Sequence, residues 1–331
     1  MRFARLYAAV CLTLAGVGAI GWTGVQADDA TPREAWVAVG YGGRRMLSTD
    51  GLNWTITEEW EVGGGDNSNN LMSAVFAQGK FVAVGGGGGG PTAGGHVLVS
   101  TDGKTWRETW KAKNRVNPIV FGGDRFVVGG PDRSLYWSSD AETWTPGGKL
   151  SDPVASHFRG GAYGDDKFVF VGNGGGNGGT SWSAVSKNGE TIDGFKKDLP
   201  GHGRIVFGAR RFFMLTSHSK AALIATTDGL NWEPVVVPDA SEFDWLVWTG
   251  RELFVGDWKK AFRSENGTEW QPLELKNAGG VIWSDGTRFI ATGWPGKMRF
   301  SPNGRDWENS PKTTDNGINV VVSGRIPNDP K

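Results

Sequence analysis

Residues 100–106 read STDGKTW. The Gly-Lys-Thr inside this stretch has the ending of a phosphate-binding loop. That loop needs a glycine five residues before the Gly-Lys pair, so that backbone N–H groups can wrap the phosphates. Leu98 stands there, and HVLV at 96–99 reads as a strand running straight into the turn. The stretch instead recurs as STDGLNW at 48–54, SSDAETW at 138–144, TTDGLNW at 226–232, SENGTEW at 264–270 and SPNGRDW at 301–307. A degenerate copy, SKNGETI, occupies 186–192 and brings the total to seven. The Ser/Thr positions that open the copies are spaced by 52, 38, 48, 40, 38 and 37 residues.

A period near 40 with four strands per unit is the signature of a propeller. Each unit opens with an apolar strand ending in an aromatic residue, such as AVF at 74–76, IVF at 119–121 and LVW at 246–248. A short turn follows with Lys or Arg near its end: Lys80, Arg125, Lys167, Arg211, Arg251, Arg288 and Arg325. The second strand, for example FVAVG at 81–85 or FVFVG at 168–172, is apolar on both faces, as expected of a strand sandwiched between sheets. A third strand enters the Ser-x-Asp-Gly turn, and the Trp opens the fourth.

The first unit begins at a second strand, WVAVG at 36–40, and its missing first strand is NVVVSGR at 319–325. Pairing the two closes the ring and removes exposed sheet edges. The fold read from sequence is therefore all-β: one seven-bladed β-propeller over residues 28–331, four antiparallel strands per blade, with the termini sharing a blade.

The repeat turn explains itself physically. Asp50, Asp102, Asp140 and Asp228 can accept local backbone hydrogen bonds, and the adjacent glycine supplies positive φ. Trp54, Trp106, Trp144, Trp232, Trp270 and Trp307 bury large rings. The turn resembles the Asp-box of BNR repeats, found in sialidases, sortilin-type receptors and photosystem II assembly factors with a related propeller. The family turn has one more residue between Asp and Gly, so this chain resembles a shortened variant. The resemblance spans nearly all of residues 34–325 and implies a fold rather than an activity.

Bulk properties narrow the function. Residues 1–27 have Arg2 and Arg5 ahead of an apolar run and end in Val25-Gln26-Ala27, which reads as a secretory leader cleaved after Ala27. An uncleaved anchor is the alternative. Without Arg2 and Arg5 the chain carries 33 Lys+Arg against 35 Asp+Glu, a net charge of −2, which does not suggest a nucleic-acid partner. The one cysteine, Cys11, lies in the leader, so the mature chain has no disulfide or thiol nucleophile. No later segment is apolar enough to span a membrane. A secreted or periplasmic monomer is expected.

Strand order assigns the turns to two faces. Turns between first and second strands, and between third and fourth, share one face and are uniformly short. The other face carries the insertions, at 58–70, 85–96, 172–182 and 310–317, and loops on a rigid scaffold commonly carry function. Its shorter loops place Tyr41 with Arg44, then Arg133, His218, Trp258 with Lys259, and Trp294 with Lys297. Cations and flat rings suit an anionic or sugar ligand. These eight residues are the candidate ligand-binding set, and a glycan or an extracytoplasmic protein is the expected partner.

The alternatives are a sialidase-like glycoside hydrolase and an assembly scaffold. A sialidase needs three arginines, a Tyr nucleophile with a Glu partner and an acid/base carboxylate. Arg325-Ile326-Pro327 resembles the sialidase Arg-Ile-Pro signature, yet Arg325 occupies the repeat's own short-turn position. No catalytic residue, cofactor or metal ligand set stands out: His96, His157, His202 and His218 have no ligand spacing. Asp66, Asn67, Asn69 and Asn70 form an oxygen-rich cluster without the carboxylate pattern of a calcium loop.

Overall fold

The computed structural model describes residues 32–60, 69–87, 93–174, 179–275 and 279–327. The leader, and Asp66 and Asn67 of the oxygen-rich cluster, lie outside the described residues, whereas Asn69 and Asn70 are buried. The described strands form seven antiparallel four-stranded sheets. Blade 1 is ordered Ile318–Ile326, Arg33–Gly40, Arg45–Ser48, Thr55–Glu58. The other six blades follow the chain in order, starting from first strands at Asn70–Ala77, Ile119–Gly122, His157–Gly164, Ile205–Gly208, Trp245–Trp248 and Val281–Ser284.

The C-terminal strand pairs with the N-terminal one over the register Arg33↔Ile326 to Gly40↔Ile318, with a bulge at Val39/Gly40. Strand 319–325 thus supplies the innermost position of blade 1. The first strands of successive blades touch one another all the way round, and the blade 1 strand touches those of blades 7 and 2. They line a closed central channel.

The core follows from the both-faced apolar second strands. In blade 2, Phe81–Gly87 is buried at every position. Buried side chains form seven clusters, one between each pair of neighbouring blades. One such cluster packs Val37 and Leu47 of blade 1 on Phe81 and Leu98 of blade 2. The last cluster packs Ile290 and Met298 of blade 7 on Trp36 and Met46 of blade 1. No helix among the described residues is long and apolar enough to cross a membrane.

Candidate functional site

The repeat turns sit on the face with short connections, and their chemistry is structural. Asp50 Oδ1 accepts the backbone N–H groups of Leu52 (2.9 Å) and Asn53 (2.7 Å), while Ser48 Oγ accepts that of Gly51 (2.9 Å). Asp102 and Asp228 repeat the pattern at 2.7–2.8 Å. Asp140 accepts from Glu142 and Thr143 at 2.8 and 3.0 Å. Asn266 does the same without a charge, at 2.9 and 2.8 Å. Burial alone would raise the Asp50 carboxyl, but the Asn53 side-chain amide and the Asn53 and Leu52 amides outweigh it and hold it at about 2. Trp54, Trp106 and Trp307 donate their indole N–H to the carbonyl of the motif glycine, at 3.1, 3.3 and 3.2 Å. Trp232 donates instead to Ser183 Oγ.

Four of the seven short-turn cations bind the neighbouring blade, whereas Arg251 pairs with Glu265 of its own blade. Lys80 Nζ donates to the Asp140 carbonyl (2.8 Å) and pairs with Glu142 (3.2 Å) in the blade 3 turn. Arg125 pairs with Glu190 of blade 4, and Lys167 donates to the Thr227 carbonyl of blade 5. Arg288 grips Glu34 of blade 1 through both terminal nitrogens, at 2.9 and 3.0 Å. Arg325 is exposed at the same position of blade 1.

On the opposite face, two cavities of about 330 and 340 Å³ open at the channel mouth and share Met72, Asn117 and Arg159. Arg115 lines the first, from the crossing between blades 2 and 3. Arg159, the third residue of blade 4's first strand, donates its Nε to Asn173 Oδ1 at 2.8 Å. Arg204 precedes blade 5's first strand and reaches across the channel to the Ile282 carbonyl of blade 7 (2.8 Å), which makes it a floor. Among the described residues no carboxylate pairs with Arg159 or Arg204, and the only carboxylates lining the cavities are Asp132 and Asp244.

Three histidines join these arginines. His157 Nδ1 lies 3.0 Å from Ser156 Oγ, His202 Nδ1 lies 2.7 Å from Ser181 Oγ, and His218 lines the second cavity. Burial lowers the pKa of all three, and the Arg159 charge lowers each further. Burial also lowers Arg115, with the Arg159 charge adding to it, and brings Arg204 to about 10. Six cationic or ionisable nitrogen groups thus crowd one opening, where burial first, and the Arg159 charge second for Arg115 and the histidines, makes positive charge costly. An incoming anion relieves that cost.

Of the eight sequence candidates, only His218 lines either cavity, and Tyr41 lies near enough to Arg115 to act on its charge. Tyr41 is half-buried, with its ring edge-on to Trp294 at 5.9 Å. Arg44 is 1% exposed; its Nε lies 3.2 Å from Glu59 and its Nη1 donates to the Tyr41 carbonyl, so it stabilises the loop from inside. Arg133 holds a left-handed conformation (φ 63°) in the turn Pro131–Arg133. Trp258, Lys259, Trp294 and Lys297 are exposed on blades 6 and 7. Sequence reasoning missed Arg115, Arg159 and Arg204 because it ranked the loops between second and third strands first. The signal was there: each arginine lies within four residues of, or just inside, a first strand.

His96 contacts Glu108 Oε1 at 2.6 Å, packs at a tilt against the Trp60 ring and lines neither mouth cavity. Among the described residues no group of three His, Cys, Asp or Glu side chains is placed to hold a metal.

The chain matches no protein-family model and no curated protein sequence. Solved structures with a similar fold include YCF48 bound to D1 peptide, at 16% identity and TM-score 0.52, covering 84% of this chain and 89% of that one. A catalytically inactive virginiamycin B lyase from Staphylococcus aureus with quinupristin shares 15% identity at TM-score 0.53, over 76% of this chain and 87% of its own. Apo AztD from Citrobacter koseri shares 10% identity at TM-score 0.52, over 88% and 98%. At these identities the likeness establishes the fold alone: a seven-bladed β-propeller.

Proposed function

We propose that the chain is an exported, non-catalytic binding propeller that captures an acidic segment of a partner protein at the channel mouth on its loop-bearing face. One observation carries the reading: Arg115, Arg159 and Arg204 converge there with His157 and His218, with His202 within reach of the Arg159 charge, and neither Arg159 nor Arg204 has a carboxylate partner among the described residues. Charge-assisted hydrogen bonds to carboxylates are the strong interactions available to such a site. The propeller bound to a D1 peptide lends the reading a precedent for peptide capture on this fold. Export rests on the leader reading of residues 1–27.

The test is fluorescence anisotropy with labelled 15-residue peptides, one acidic, one neutral and one basic. The acidic peptide should bind in a salt-sensitive way, and Arg159→Gln should abolish that preference. Equal affinity for all three peptides, or none for any, would overturn the proposal.

A second reading has one specific observation behind it. Three arginines at the mouth are half of a sialidase's requirement. The other half lacks support, since neither a tyrosine nor a glutamate lines either cavity among the described residues. Hydrolysis of a fluorogenic sialoside separates the two readings: turnover abolished by Arg159→Gln would establish the hydrolase.

A further inference from the structure

Trp258 and Trp294 are 61% and 66% exposed, and the only other exposed large hydrophobic among the described residues is Val236. The two tryptophans occupy the same place in successive blades, the turn between second and third strands. Trp258 follows Asp257, whose Oδ1 accepts the N–H groups of Lys259 and Lys260 at 2.6 Å. Its ring fills the space a Cβ of Gly279 would take, with Cε3 1.9 Å from that position. Trp294 leans on Gly317, 3.3 Å from where its Cβ would be, and meets Tyr41 edge-on. In each blade, then, a glycine of the following crossing supports one side of an indole and leaves the rest to solvent.

We infer that these two indoles form a stacking ledge for an anionic oligosaccharide. The core of a protein interface is a contiguous, desolvated apolar cluster within a polar rim. The ring that Trp294 meets is Tyr41, not Trp258. They stand apart on separate blades, with exposed Lys259 beside one and exposed Lys297 beside the other. Separated flat rings match a sugar chain, whose C–H faces alternate with hydroxyls. The flanking ammonium groups match a negative charge on the sugar, whether carboxylate or sulfate. The ledge lies on blades 6 and 7, outside the residues that line the two mouth cavities, so it does not depend on peptide capture there.

Isothermal titration calorimetry tests this with an oligogalacturonate, a heparin-derived oligosaccharide and neutral cellohexaose. At least one anionic chain should bind more tightly than cellohexaose, and which one binds identifies the charged group. Trp258→Ala and Trp294→Ala should each weaken binding about tenfold, the scale of one lost stacking contact. Both rings are exposed, so thermal melts should confirm that the variants fold. Lys259→Gln with Lys297→Gln should erase the advantage over cellohexaose, and Arg159→Gln should leave saccharide binding unchanged. Absence of binding to all three saccharides, binding indifferent to both tryptophans, or binding lost with Arg159→Gln would overturn the ledge.

Discussion

Gly229→Ala isolates the physical job of the repeat turn. Gly229 has φ +81°, a conformation costing an alanine about 1–2 kcal/mol. A Cβ there would also lie 2.6 Å from Val169 Cγ2 and 2.8 Å from Val185 Cγ2, both on the preceding blade. Valine is stiff about χ1 and these two are buried, so the clash is not relieved by rotation. Overpacking of this kind costs about 1–3 kcal/mol. Gly79 is the control: its φ is +71°, but nothing lies within 4 Å of its added Cβ. Both alanines gain about 0.4–1 kcal/mol from a less flexible unfolded chain. The φ and unfolded-state contributions therefore nearly cancel in the comparison, leaving about 2 kcal/mol of wedge, or a melting temperature about 4 °C lower for Gly229→Ala than for Gly79→Ala. Urea and thermal denaturation of the two variants measure it. Equal losses would show that the motif glycine serves only the turn's backbone and does not wedge into the neighbouring blade.

Other perturbations follow from the same geometry. Asp50→Asn should lose less than Asp50→Ala, because Asn266 accepts the same pair of amides without a charge, whereas the alanine also loses the acceptor, about 1 kcal/mol as capping aspartates do; equal losses in urea titrations would contradict this. Stability should fall with acid in two windows. The histidines at the mouth have folded pKa values below 6.5, so the unfolded chain takes up their protons first and stability declines as pH drops through 6.5. Asp50 sits at about 2 against 3.8 unfolded, so its contribution is present above pH 4 and is lost between about 4 and 2. Urea midpoints across pH check both. Arg159→Gln should raise the pKa of His157, His202 and His218 together, since its charge lowers all three after burial; NMR titration with unmoved midpoints would refute their convergence.

The architecture was legible because it is repeated. A turn that needs an acceptor side chain, a positive φ and a large ring leaves a recognisable motif seven times, with the ring missing only at Ile192 and the glycine only at Ala141, and the strand at 319–325 announced itself as the first strand missing at 36–40. The short-turn cations were legible as a repeat position, although the pairing of Lys80, Arg125, Lys167 and Arg288 with the next blade was not. The mouth was harder to see because nothing repeats there. Arg115, Arg159 and Arg204 meet only through the circular order of blades 3, 4 and 5, and no spacing rule connects them along the chain. Arg44 misled in the opposite way: it sits in a loop, yet Glu59 from the neighbouring crossing and the Tyr41 carbonyl draw it inside.

Anion binding at the mouth through Arg159 and its neighbours is what the proposed function requires. The most direct measurement is the affinity of the acidic peptide for the folded chain, with and without Arg159→Gln, at pH 7.5 and pH 6. Affinity should rise at the lower pH as the histidines take up protons beside the bound carboxylates, and the Arg159→Gln variant should lose most of the binding at both. An affinity that is the same for wild type and variant, or that falls on acidification while the peptide stays ionised, would contradict it.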